Sequence, residues 1–133
     1  MAPENDNSGK NNDPFQPSEY LAEMDNVIRV ITLRGMTAGN DGDFETAFLH
    51  MELALWLARS LENKCLEATL LNNLGLLYTM QGTWDRALFT FDRAMEIALA
   101  FCESHDKFIA ILKKNISCLF DPKLTIPGDP DKD

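Results

Sequence analysis

No apolar run in this chain approaches the ~18 residues of a membrane span, and no cluster of lysine and arginine occurs anywhere along it. With 12 basic against 21 acidic residues and a formal charge of −9, it lacks the cationic surface that nucleic acids and anionic membranes require. After Met1, the residues Pro3, Glu4, Asn5 and Asp6 stand where an export signal would carry bases and an apolar core. Cysteine is scarce as well. Cys65, Cys102 and Cys118 form no Cys-x-x-Cys pair, and an odd number in a chain without an export signal predicts a reducing, cytoplasmic setting. Cys102 and Cys118 are expected as small packed apolar groups. His50 and His105 have no partner at metal-ligand spacing, so neither a metal nor a cofactor is expected. Gly35, Gly39 and Gly42 fit a helix end and a turn, not a phosphate-cradling loop, and Glu52, Glu67, Asp92 and Glu96 read as a solvated helix face. Nothing assembles a catalytic site, and the chain is expected not to be an enzyme.

What is present is a helical middle between two acidic tails. Residues 1–17 are rich in Asn, Asp and Pro and are expected to be disordered; residues 18–120 form the helical domain; residues 121–133 are acidic and punctuated by prolines. Tyr20, Met24, Val27, Ile28 and Ile31 recur at helical spacing, which predicts a first helix over 18–38. Asp43 and Thr83 are suited to cap the second and fourth helices, each just after a glycine. The third helix is predicted over 64–80. The fifth begins near 104–106 and stops at Phe120, because Pro122 disfavours helix at Asp121.

Leu74, Gly75, Tyr78, Ala87, Phe91 and Ala94 supply medium, tiny, aromatic, small, aromatic and small side chains where two antiparallel helices meet, with Gly82 turning the chain between them. Forty residues upstream, Gly35, Gly42, Phe44, Ala47 and Ala54 match Gly75, Gly82, Trp84, Ala87 and Ala94. Downstream, Asn115 to Phe120 echoes Asn73 to Tyr78. This pattern resembles a tetratricopeptide repeat. Its offset is longer than the usual ~34 residues, and so is similar to the repeats of kinesin light chain, of the Leu-Gly-Asn-repeat adaptors and of bacterial repeat proteins. The fold class is therefore expected to be all-α: five helices stacked as a short right-handed solenoid of about two and a half units. Arg34 and Ala38 in the first repeat, and Ser117 in the third, depart from the pattern.

The resemblance implies a concave groove that holds a peptide or helix of another protein. Its lining would be Thr32, Leu33 and Met36 from the first repeat, Asn72, Asn73, Leu76 and Met80 from the second, and Lys114, Asn115 and Cys118 from the third. Asparagine amides could bracket any peptide group, and the methionines would add adaptable apolar pockets. Alternatively, Asn73 and Asn115 tie neighbouring helices together. Lys114 is the one base among these positions, so a clamp for a terminal carboxylate is not expected, and the ligand would be apolar or amphipathic. The segment Leu124-Thr125-Ile126 offers a rival occupant from the chain itself.

A second stripe, Leu49, Leu53, Trp56 and Ser60, is more apolar than its counterpart Phe89, Arg93, Glu96 and Ala100. Since Phe48, Met51, Ala54, Leu55, Ala58 and Leu61 already supply an inner face, the stripe reads as a second buried face, covered either by Phe15 and Tyr20 or by a second copy in a homodimer. The function expected is a non-enzymatic adaptor, scaffold or chaperone-like subunit. A type III secretion chaperone is the alternative within the binding class, and a cofactor-binding or enzymatic helical domain the alternative outside it.

Overall fold

The computed structural model describes residues 16–121. Five helices account for nearly all of them: α1 (Pro17–Asn40), α2 (Phe44–Ser60), α3 (Lys64–Gln81), α4 (Trp84–Phe101) and α5 (Asp106–Phe120). No strand occurs among the described residues. The predicted boundaries agree to within two residues. The first helix differs most: it starts at Pro17, where a proline at the first helical position loses no hydrogen bond, and continues past Ala38 to Asn40.

Local chemistry sets each junction. The Asp43 side chain accepts from the Thr46 backbone N–H at 3.2 Å and caps α2. Hydrogen bonding by the Thr46 side chain and then by its backbone N–H favours the charged carboxylate, so the Asp43 pKa lies below its ordinary value. Asn63, unremarked in the sequence reading, does the same for α3 by accepting from Leu66 N–H at 3.1 Å. Thr83 occupies the corresponding place before α4, but its hydroxyl donates to Gln81 Oε1 instead and leaves the helix end uncapped. Gly82 ends α3 in the left-handed region at φ 86°, a conformation that a side chain would strain, and Gly42, in the turn between α1 and α2, has φ 85°.

α1 pairs with α2 and α3 with α4 as antiparallel hairpins; α3 also packs on α1 and α2, and α5 closes the stack against α4 and α3. The helices therefore form two layers, α1-α3-α5 and α2-α4, in a short helical solenoid. Positions forty residues apart do the same work. Ala47 and Ala87, Met51 and Phe91, Ala54 and Ala94, and Ala58 and Ala98 are all buried at the hairpin contacts. A Cβ placed on Gly75 would lie 2.5 Å from the Phe91 ring, so only glycine admits that ring between the helices. Phe48 and Tyr78 stack at 4.9 Å between centroids and join the first hairpin to the second.

Two expectations are overturned here. Cys65 and Cys102 are not isolated: they form a disulfide joining the start of α3 to the end of α4, with their Cα atoms 5.6 Å apart. Their separation of 37 residues concealed a pair that the antiparallel hairpin brings together. The bond is also at odds with the expected reducing surroundings. Cys118 remains a free thiol. Second, Glu67, read as part of a solvated helix face, is 5% exposed and pairs with Arg59 at 2.9 Å. Leu49, Leu53 and Trp56 are 62%, 47% and 64% exposed in the single chain, so α1 does not cover their stripe. Phe15, the Leu124-Thr125-Ile126 segment and the tails lie outside the described residues.

Candidate functional site

The face of α1 running Asp25, Ile28, Arg29, Thr32, Leu33 and Met36 meets α3 along Asn63, Cys65, Leu66, Thr69, Leu70 and Asn73, enclosing a groove of about 610 Å³. Four of the expected groove residues, Thr32, Leu33, Met36 and Asn73, thus line one surface. Leu33 stands well out of the protein at 66% exposure, whereas Met36 and Asn73 are half-buried. Thr32 Oγ1 is buried and has no hydrogen-bond partner among the described residues, an arrangement that costs about 1–3 kcal/mol.

The remaining expected residues are placed differently. Asn72 is 8% exposed, and its Oδ1 accepts from Asn115 Nδ2 at 2.8 Å, so these two amides hold α3 to α5. The tie between neighbouring helices expected of Asn73 and Asn115 is thus made by Asn72 and Asn115. Leu76 and Met80 are half-buried and pack on the core, Cys118 is half-buried, and Lys114 is exposed. Asp25, Arg29, Asn63, Cys65, Leu66, Thr69 and Leu70 also line the groove and were not anticipated. Extending the Thr32-Met36 stripe by two turns toward the N-terminus of α1 would have found Asp25 and Arg29, since residues three and four apart share a helix face.

Among the described residues, no three His, Cys, Asp or Glu side chains gather closely enough to hold a metal ion. No helix among them is long and apolar enough to cross a membrane. The site consists of an apolar groove edged by Arg29, Asp25, the amides of Asn63 and Asn73 and the hydroxyls of Thr32 and Thr69.

The chain is similar to the photosystem I assembly protein Ycf3 of Synechococcus sp. (strain WH7803). The two are 27% identical over 97 residues, covering 64% of this chain and 54% of that protein, so the chain spans about half the length of its relative. No protein-family model matches the chain. No solved structure matches it. The similarity to Ycf3, together with the paired helices, is consistent with tetratricopeptide-like repeats.

Proposed function

We propose that this protein is a non-enzymatic interaction module, an adaptor or assembly subunit that holds an apolar or amphipathic segment of another protein in the groove between α1 and α3. The observation carrying this reading is the apolar groove in which exposed Leu33 stands beside Met36 and Asn73 and awaits an apolar cover. Asn73 and Met36 complete the contact, and Arg29 and Asp25 frame its end. The similarity to a protein named for the assembly of photosystem I supports a role in bringing subunits of a larger complex together. A long-repeat tetratricopeptide architecture, of the kind seen in adaptors, fits the forty-residue equivalence of the two hairpins.

A photo-crosslinking residue placed at Leu33 tests this in the native cell. It should capture a defined protein, and the same residue at exposed Lys107 should not. Capture must also fall when Asn73→Ala and Met36→Glu are introduced together. Equal adducts at both positions would remove the groove from consideration.

The exposed Leu49/Leu53/Trp56 stripe favours a second contact surface, for which a second copy of the chain is the simplest occupant. Sedimentation would show a dimer that Trp56→Glu dissociates. A monomer at every concentration would dispose of self-association.

A further inference from the structure

The backbones of α2 and α4 stay apart, and the gap between them is floored by α3. It forms a cleft of about 450 Å³ on the layer opposite the groove. Leu71, Leu74 and Tyr78 provide an apolar floor, and Phe89, 72% exposed, stands at the wall. Three guanidinium groups surround this floor: Arg59 from α2 and Arg86 and Arg93 from α4, with Asp85 the single acid in the lining. In a chain of net charge −9 this concentration of positive charge over apolar surface stands out.

Two of the arginines are held in place. Arg59 Nε donates to Glu67 Oε2 at 2.9 Å, and Lys64 Nζ lies 3.8 Å from the other oxygen of the same buried carboxylate, so this trio keeps a net positive charge. The Arg86 guanidinium lies 6.0 Å from the Tyr78 ring centroid, where the ring face attracts a cation. Arg93 pairs with exposed Glu96 at 3.4 Å, a contact that solvent weakens and a ligand carboxylate could replace. Guanidinium groups suit carboxylates, because their planar fork matches a carboxylate's two oxygens.

From this charge complementarity we infer that the α2-α4 cleft is a second binding site, which takes an acidic segment of a partner protein carrying an aromatic or aliphatic anchor. The anchor packs on Leu74, Tyr78 and Phe89, and flanking Asp or Glu side chains meet Arg59, Arg86 and Arg93.

The test is fluorescence anisotropy on the full chain, with a labelled peptide in which a Leu-Phe pair is flanked by glutamates and a control peptide with lysines in their place. The acidic peptide should bind about tenfold or more tightly than the basic one, and its affinity should fall as salt is raised. Arg86→Glu combined with Arg93→Glu should weaken it by about tenfold or more, and Phe89→Ser should weaken it independently, whereas Lys113→Glu on α5 should leave it unchanged. All four positions are exposed, so the fold should tolerate each change. Equal affinity for the two peptides, or indifference to both the arginine and the Phe89 variants, overturns the proposal. So does a marked gain of affinity in the full chain carrying Leu124→Ser and Ile126→Ser, which would make the chain's own C-terminal segment the resident. Dimerisation abolished by the arginine variant would assign the cleft to a second copy and likewise overturn it.

Discussion

Asn115 Nδ2 donates to Asn72 Oδ1 at 2.8 Å, a side-chain bond across forty-three residues that fastens the unpaired last helix to the second hairpin. Asn72 is buried, so removing its partner leaves an amide oxygen with neither water nor donor. Asn115→Ala and Asn72→Ala should each destabilise by about 1–3 kcal/mol, and the double variant by less than their sum. Denaturant unfolding of the four proteins checks this. Strict additivity would show that the two amides act independently.

Gly75→Leu should be more damaging than a typical core substitution, because even a Cβ meets the Phe91 ring at 2.5 Å. Ala87→Leu enlarges a fully buried contact in the same hairpin. Each should cost at least about 1–3 kcal/mol, read as a lowered melting temperature by circular dichroism. Melts that match the parent would overturn the assigned packing.

The depressed pKa of Asp43 carries a pH signature. A carboxylate stabilised in the folded state contributes fully above its ordinary pKa and loses that contribution as pH falls through the lowered folded value. Asparagine caps about as well but does not titrate. Asp43→Asn should therefore match the parent at neutral pH and lose less stability in acid. Parallel acid-denaturation curves would contradict the cap.

The Cys65–Cys102 bond closes a loop spanning the second hairpin, with a sequence separation of 37. Cys102→Ser should lower stability by about 2–4 kcal/mol under non-reducing conditions and by nothing once the parent is reduced. Thiol titration of the unfolded, unreduced chain should count Cys118 alone, and reduction should reveal the other two. Three thiols before reduction would refute the pairing.

The helices and their pairing were legible because they rest on local rules and on a repeated pattern. Apolar spacing marks α1, Asp43 and the two turn glycines mark its neighbours, and small residues at 47, 54, 87 and 94 recur wherever helices must approach. The site was only partly legible. Thr32, Leu33, Met36 and Asn73 share the groove because helical register orders them locally, but which of two adjacent asparagines turns inward depends on the rotation of α3 against α5. Adjacent helix residues point about 100° apart, so a small rotation decides that Asn72 is buried and Asn73 lines the groove.

The sequence by itself determined the all-helical class, the five segments and the hairpin contacts, since these follow from periodicity, caps and side-chain size. Only the tertiary structure decided the Cys65–Cys102 bond, the Asn72–Asn115 tie, the exposure of Leu49, Leu53 and Trp56, and the gathering of Arg59, Arg86 and Arg93 over one apolar floor. Each of these joins or separates residues from different helices, and the distances between helices are set by how their side chains interlock across the stack, which no local rule encodes.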